Sequence, residues 1–112
     1  MRRVLRGDVY WADPGPVVGH EQGGRRPVLV VSGETFNRSL GIVIAMMITT
    51  RAPRLKAPLS WALASGGLPR SFWVKTWQIR SLSVLRLGPR VGRVEVAEVD
   101  RIVEGLLEIV GP

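Results

Sequence analysis

An apolar run of eight residues, Gly41–Ile48, is the feature that most constrains what this chain can fold into. Its side chains are apolar at successive positions, so an extended strand here would need burial on both faces, which is typical of a central strand. The purely aliphatic and sulfur-containing part, Ile42–Ile48, is far too short to span a bilayer. We therefore expect a central strand and no membrane partner.

Shorter patterns before this run predict further strands and a short helix. Asp8–Ala12 alternates around aromatic and β-branched residues and predicts a first strand, and Pro27–Val31 predicts a second. Glu34–Ser39 can form one or two helical turns before Gly41 resets the chain direction. Ser32 is a plausible cap for that helix.

The second half of the chain changes from short strands to a helix. Prolines and glycines divide its first part, in which Ala57–Leu63 and Phe72–Thr76 predict edge strands. Apolar residues then recur at steps of three and four from about Glu95 to Val110, which predicts an amphipathic helix packed on the sheet. Gly105 weakens this helix by roughly 1 kcal/mol relative to alanine, so packing must hold it.

Length and composition exclude several classes of protein. At 112 residues the chain is expected to form a single domain, residues 1–112. It contains no cysteine and one histidine, which excludes disulfides, thiolate catalysis and a Cys/His zinc site. No apolar stretch follows the basic N-terminus, so we expect no signal peptide and a cytoplasmic location.

The net charge of +7 is carried almost wholly by arginine, since Lys56 and Lys75 are the only lysines. A surplus of this size on a small surface favours polyanionic partners, either a nucleic acid or an acidic protein. A GC-rich genome would produce the same arginine excess. Composition alone therefore leaves both explanations open.

A glycine-rich polar loop delivers two adjacent arginines onto the second strand. Gly23 and Gly24 permit backbone conformations that a side chain would forbid, while Pro27 extends the residue before it. Arg25 and Arg26 thus stand where a loop meets a rigid strand, and the planar guanidinium is well suited to phosphate. The alternative is that both arginines are solvated loop charges.

Hydroxyl and cationic side chains follow the central strand directly, at Thr49, Thr50 and Arg51. They suit catalysis, although threonines also end strands because they are good strand formers with polar tips. Farther along, aromatic and basic residues are interleaved, as in grooves that bind single-stranded nucleic acid. The tryptophans concerned are Trp61, Trp73 and Trp77. Tryptophans also build cores and oligomer interfaces, and we expect this for at least two of the three.

The inventory of side chains limits the reactions available on a polyanionic substrate. A two-metal nuclease needs clustered carboxylates, but the acids outside the C-terminal helix are dispersed. A mechanism with paired histidines is impossible with His20 alone. What remains is phosphoryl transfer that needs no metal or cofactor, in which the ribose 2′-hydroxyl is the nucleophile and fixed donors stabilise the phosphate charge. Such chemistry is confined to RNA.

Several segments in this order resemble the MazF/PemK toxin endoribonucleases. The most specific is the Glu-Gln-x-x-x-Arg-Pro block, followed by a threonine that closes the next long strand. The resemblance covers nearly the whole chain. Its segments are Arg6–Trp11, Gly19–Ser32, Phe36–Arg38, Ile48–Thr49 and Gln78–Ser81.

This resemblance implies a fold, a function and partners. The fold is α+β and mainly β: a compact, partly open, SH3-like β-barrel of antiparallel strands with a C-terminal helix. The function is that of a growth-arresting toxin that cleaves single-stranded RNA, such as messenger RNA, at selected sequences. The partners are a second copy in a homodimer, RNA lying along the dimer groove, and an acidic antitoxin whose tail competes for that groove.

The same resemblance assigns roles to individual residues. Arg26 matches the family's catalytic arginine, which would stabilise the pentavalent phosphate, and Thr49 matches its catalytic threonine. Arginine is a poor base because its pKa exceeds about 12. Glu21 is therefore our candidate for accepting the 2′-proton or orienting Arg26. The implied products carry 2′,3′-cyclic phosphate and 5′-hydroxyl ends.

A further set of polar residues is expected to bind RNA. The set comprises His20, Gln22, Arg25, Ser32, Thr50, Arg51, Gln78 and Arg80. His20, Arg25 and Trp77 depart from the family's pattern where the resemblance sets cleavage preference. His20 would contact bases or solvent, or alternatively assist acid–base chemistry, since the unperturbed histidine pKa near 6.5 suits that role.

Two other functions compete with the nuclease. One is a toxin that poisons a protein target, as the gyrase-inhibiting toxins do on this type of barrel without the arginine–threonine pair. The other is a basic RNA-binding module without catalysis.

Overall fold

The computed structural model describes residues 2–15, 25–69 and 71–112. Within them the chain forms six strands and two α-helices. The elements are β1 (Asp8–Ala12), β2 (Arg26–Val30), α1 (Glu34–Leu40), β3 (Ile42–Thr49), β4 (Ser60–Ala62), β5 (Trp73–Ser83), β6 (Leu87–Arg93) and α2 (Val96–Val110), with a 3₁₀ turn at Val84–Arg86. The prediction of a mainly β fold with a C-terminal helix is confirmed.

All six strands belong to one antiparallel sheet in the order β4-β5-β3-β2-β1-β6. The apolar run that opened the sequence analysis is β3, and it lies inside the sheet as expected. The edge strands β4 and β6 do not pair with each other in the described residues, so the sheet is open. The antiparallel strands of the expected fold are thus present, but its closure into a barrel is not confirmed.

Alternation along the strands divides the apolar core between two faces of the sheet. On the helix face, side chains such as Leu29, Met46 and Val74 pack with Val99 and Ile102 of α2. The opposite face carries the second cluster. Its members include Tyr10, Ala12, Val28, Val30, Ala45 and Met47. A residue's position along β2, β3 or β5 therefore decides whether it faces α2 or the other side.

Strand β5 corrects the prediction of a short edge strand at Phe72–Thr76. It has eleven residues and lies between β4 and β3. Lys75 pairs with Met47 and Ile79 pairs with the adjacent Met46, so residues 76–78 form a bulge without partners on β3. The bulge interrupts the alternation of side chains, which explains why the sequence pattern ended too early.

Strand β6 has no counterpart in the sequence prediction. Its sequence, LGPRVGR, contains two glycines and a proline, residues that are depleted in strands. It forms nevertheless because it pairs with β1, from Asp8 opposite Arg93 to Ala12 opposite Leu87. Proline is tolerated in such an edge strand because one side of the strand has no ladder to complete.

Helix α1 begins at Glu34 and ends before Gly41 as predicted, but its N-cap is not the predicted residue. Gly41 follows it in the left-handed conformation, with φ of 65°, which suits glycine. The N-cap is Gly33, with no side-chain capping bond. Ser32 is therefore not the cap, because its hydroxyl donates to Oδ1 of Asn37 (2.5 Å) and accepts from the Ile44 amide (2.8 Å).

Helix α2 lies across the helix face and is held by packing, as the presence of Gly105 required. Gly105 is buried, and a Cβ there would lie 3.1 Å from both Cβ and the carbonyl oxygen of Pro58. The glycine thus allows the helix to approach the segment before β4 closely. Neither helix in the described residues is long and apolar enough to cross a membrane.

Candidate active site

The two residues expected to be catalytic lie at the same end of neighbouring strands. Arg26 is the first residue of β2 and Thr49 the last of β3, and both are half-buried. Val28 pairs with Met47 in the antiparallel register. Continuing this register by two residues sets Arg26 opposite Thr49, on the face opposite to α2. The continued register therefore predicts that the Arg26 guanidinium and the Thr49 hydroxyl share one face at this end of the sheet.

The next strand extends this site. Trp73 pairs with Thr49 and Lys75 pairs with Met47, so both share the face of Thr49. The Lys75 ammonium lies 6.0 Å from the ring centroid of Trp77, at the edge of cation–π range. The end of the sheet therefore combines cations, a hydroxyl and aromatic rings, which are the groups that bind phosphates and stack on bases.

The chain after β3 leaves two further polar residues at this end. Thr50 and Arg51 are exposed in the bend that follows Thr49. The Arg51 amide donates to the Thr49 hydroxyl oxygen at 3.2 Å. This bond restrains the rotamer of Thr49 while leaving its hydroxyl hydrogen available to a ligand.

Arg25 is exposed just before β2 and reaches toward the edge strand. A Cβ at Gly88 of β6 would lie 2.7 Å from Nη2 of Arg25, so this guanidinium lies directly against the glycine. Arg25 and Arg26 therefore extend from the same joint toward different strands. This geometry gives them different surroundings although they are adjacent in sequence.

The remaining predicted RNA-binding residues are distributed unevenly. Gln78 lies in the β5 bulge, and Arg80 lies beyond it opposite Ala45; both are half-buried. Ser32 is two residues beyond the far end of β2, so six residue steps of roughly 3.3 Å separate it from Arg26. The structure does not bring Ser32 together with the Arg26–Thr49 pair. His20, Glu21 and Gln22 lie outside the described residues.

Charge is strongly asymmetric across the molecule. Five of the nine acidic residues lie between Glu95 and Glu108, in and just before α2. The Arg26–Thr49 end of the sheet and the β6 edge carry arginines instead. Among the described residues, no three acidic or histidine side chains are grouped so as to hold a metal ion.

Glu98 is a buried acid whose carboxylate is hydrogen-bonded within the protein. Glu98 accepts hydrogen bonds from Trp61 Nε1 (3.1 Å), the Ala64 amide (2.7 Å) and the Ser65 hydroxyl (2.6 Å). Burial alone would raise the pKa of Glu98, but these bonds outweigh burial and hold its pKa below the usual value. Trp61 is thus a structural tryptophan, as was expected for at least two of the three.

Asp8 anchors a group of charges at the other edge of the sheet. Its Oδ1 accepts from Nε of Arg90 (3.2 Å) and Nε of Arg93 (2.9 Å), and its Oδ2 accepts from the Leu5 amide (2.9 Å). Burial, with the charge of Asp8, raises the pKa of neighbouring Tyr10, and the nearby Arg2 and Arg90 oppose this shift. Local sequence patterns do not reveal this arginine group, because the strand that carries two of its members, β6, lacks a strand-like pattern.

A family model of the PemK-like, MazF-like toxins of type II toxin–antitoxin systems matches residues 5–110. Endoribonuclease EndoA of Bacillus subtilis is 36% identical over 105 residues, covering 92% of this chain and 90% of the relative. Endoribonuclease MazF6 of Mycobacterium tuberculosis is 36% identical over 112 residues, covering 95% and 98%.

Solved structures of a MazF protein and of an endoribonuclease superpose on this chain. MazF from Deinococcus radiodurans superposes with a TM-score of 0.83 at 28% identity, over 100% of both chains. An endoribonuclease from a Mycobacterial species, in complex with its cognate antitoxin, superposes with a TM-score of 0.76 at 30% identity, over 96% of this chain and 95% of that one.

Proposed function

This chain belongs to the family of PemK-like, MazF-like toxins of type II toxin–antitoxin systems, and from that premise we propose that it is an endoribonuclease acting on single-stranded RNA. It cleaves at selected sequences, needs no metal ion, and leaves 2′,3′-cyclic phosphate and 5′-hydroxyl ends. The observation that carries the proposal is the β2–β3 register, whose continuation by two residues would set Arg26 opposite Thr49. The 36% identity to relatives named endoribonucleases supports it.

In this mechanism the ribose 2′-oxygen attacks the adjacent phosphorus. The bond from phosphorus to O2′ forms as the bond to O5′ breaks, so one proton leaves O2′ and one is taken up by O5′. Arg26 stabilises the negative charge that develops on the phosphate oxygens, because its permanently charged fork can bond two of them at once. Its half-buried position limits competition from water for those bonds.

Thr49 holds a non-bridging phosphate oxygen or the 2′-hydroxyl. The bond that its oxygen accepts from Arg51 supports this role, because it orients the hydroxyl before substrate arrives. Glu21, outside the described residues, remains our candidate for accepting the 2′-proton or orienting Arg26. Bases on either side of the scissile phosphate would stack on the aromatic side chains of β5.

The partners follow from the same premise. We expect an acidic antitoxin that competes with RNA for the basic end of the sheet; a related endoribonuclease has been solved in complex with its cognate antitoxin. We also expect a homodimer with RNA along its groove. Exposed apolar side chains on α2, including Leu107 at 60% and Val110 at 66%, provide surface that a second copy would bury. RNA as substrate implies action in the cytoplasm.

The central test compares Arg26→Ala with Arg38→Ala, which removes an exposed arginine on α1 at the other end of the sheet. Arg26→Ala should lower the rate of RNA cleavage by about 10²–10³-fold, because a fixed donor to the transition state is lost. The control should retain wild-type activity. The readout is cleavage of labelled RNA in EDTA, followed by analysis of both new ends.

Each part of the proposal can fail separately in this experiment. Cleavage that stops in EDTA and returns with magnesium would contradict the metal-free mechanism. New 3′ ends without a cyclic or derived monophosphate would contradict attack by the 2′-hydroxyl. If Arg26→Ala still arrests growth when expressed, the protein acts on another target or by binding RNA, and the nuclease proposal is wrong.

A further inference from the structure

Five arginines converge on the edge strand β6, and none of them belongs to the Arg26–Thr49 pair. We name this surface the β6 arginine edge; it consists of Arg2, Arg25, Arg86, Arg90 and Arg93. All five residues are exposed by residue accessibility. Among the described residues, Asp8 bonds two of these arginines, Arg90 and Arg93, and is itself buried. The surface is therefore strongly positive.

The β6 arginine edge is continuous with the candidate active site. Arg25 is the neighbour of Arg26, and its guanidinium lies against Gly88. Arg2 reaches the same residue, since its Nη1 donates to the Gly88 carbonyl (2.7 Å) and its Nη2 to the Leu87 carbonyl (2.8 Å). Gly88 is thus the point where the arginine beside the site meets the arginines of the edge.

Arg90 and Arg93, which lie farther from the candidate active site, are fixed by hydrogen bonds to Asp8 and still have N–H groups available to a ligand. Arg90 and Arg93 both bond Asp8 through Nε, so these bonds do not use the terminal amino groups of either guanidinium. Their side chains remain 46% and 45% exposed. One buried carboxylate neutralises only one of the two charges. The pair is therefore a pre-oriented site for an anion with several acceptor oxygens.

The first part of this edge, residues 87–89, is poorly suited to binding a peptide by strand addition. Addition of a strand needs free backbone carbonyls and amides along an edge. Arg2 occupies the carbonyls of Leu87 and Gly88, and Pro89 has no amide hydrogen. What the edge offers is guanidinium groups, which fit phosphates better than a peptide backbone.

We propose that the β6 arginine edge binds phosphates of the RNA strand that flank the scissile phosphate. The inference rests on the proposed function and extends it: the protein holds a segment of RNA longer than the one that its active site contacts. Substrate length would then contribute to affinity through phosphate contacts that are independent of sequence.

The test measures binding of fluorescent 2′-O-methyl RNA, which lacks the attacking hydroxyl, by anisotropy at several salt concentrations. Wild type is compared with the double variant Arg86→Gln/Arg90→Gln and with a charge-matched control, Arg38→Gln/Arg101→Gln, on the two helices. Oligonucleotides of about 4 and about 16 nucleotides span the range of known single-strand site sizes. Thermal melting establishes that every variant is folded.

The double variant should bind the longer oligonucleotide roughly tenfold more weakly at low salt, and the slope of log K against log salt should fall by about 1.4. The control should keep the wild-type slope. If Arg90→Gln unfolds the protein by releasing Asp8, Arg86→Gln alone should lower the slope by about half as much.

Equal affinities and slopes for the double variant and its control would overturn the proposal. Binding of fluorescent polyglutamate is measured in the same way. If the double variant keeps its affinity for RNA but loses affinity for polyglutamate, the proposal is also overturned, because the edge would then be a surface for acidic proteins. Cleavage of unmodified RNA by wild type is measured separately. If wild type cleaves RNA and the double variant binds it normally, only the inference about the edge fails.

Discussion

The two ends of strands β2 and β3 use polar side chains in opposite ways. At the end near α1, the Ser32 hydroxyl and Asn37 satisfy each other, and Asn37 also donates to the Val4 and Ser32 carbonyls. At the other end, Thr49 accepts one bond from the Arg51 amide, and Arg26 begins β2 half-exposed. The same two strands therefore end once in a closed network and once in groups that face outward.

This difference separates stability from function within one sheet. A buried polar group must be bonded inside the protein, because leaving it unpaired costs free energy. Groups such as Ser32, Asn37 and Glu98 meet this requirement internally. Groups at the Arg26–Thr49 end keep bonding capacity for a ligand. Substitutions at the closed network should therefore change stability, and those at the open end should change activity.

The largest effect is expected at the open end. Thr49→Val keeps the shape of the side chain and removes its hydroxyl, so cleavage of RNA should slow by about a hundredfold because one group that orients the reacting phosphate is lost. Single-turnover kinetics measures this loss. The melting temperature should stay close to that of wild type. Unchanged kinetics, or a large loss of stability, would break the comparison.

The closed network should respond in the opposite sense. Asn37→Ala removes the donor to the Val4 carbonyl, in a buried bond, and the acceptor of the Ser32 hydroxyl, in a partly buried one, and should lower the free energy of unfolding by about 2–3 kcal/mol. Urea denaturation measures the change, with Ser39→Ala on the exposed side of the same helix as control. Folded Asn37→Ala should retain cleavage; a folded variant without activity would link this end to the site.

Substitution of Glu98 should have the smallest effect on stability, and the size of that effect should depend on pH. Because its folded pKa lies below the usual value of 4.5, its ionised form stabilises the fold above about pH 4.5, and that contribution is lost as pH falls toward the folded pKa. Glu98→Gln should cost about 1–2 kcal/mol at neutral pH and should flatten the acid limb of the stability curve. The exposed Glu108→Gln is the control. Parallel acid limbs for wild type and Glu98→Gln would contradict this account.

Most of the fold could be predicted from local patterns. The C-terminal helix and β1 each follow from a clear period in the sequence, and the central strand follows from its uninterrupted apolar run. The failures have local causes as well. Gly88 and Pro89 are untypical of strands, so β6 is not predicted from its own sequence and forms through pairing with β1. The bulge after Lys75 interrupts the alternation of side chains, so the second half of β5 is not predicted either. The sequence pattern contains no information on whether the two edge strands meet, so the expected closure was not predictable from it.

The candidate site was less accessible to local reasoning. Arg26 and Thr49 stood out as polar residues at strand ends, but so did Ser32, which turned out to bond internally. Only the register between β2 and β3, a contact between distant parts of the sequence, distinguishes these cases. The family resemblance selects Arg26 and Thr49, whose catalytic roles stay predictions, whereas the arginines of β6 are grouped only by the strand that carries them.

The bulge of residues 76–78 provides positions in β5 whose side chains can vary without changing how the strand pairs with β3. Its flanking positions, Lys75 and Ile79, are each paired with β3, whereas Trp77 and Gln78 have no partner on β3. We therefore expect substitutions of these two residues to leave the pairing register between β3 and β5 unchanged. Protein engineers could therefore randomise these two positions to seek altered cleavage preference, while leaving the buried Thr76 unchanged. The same freedom would let related toxins diverge in target choice through few mutations and at little cost in stability.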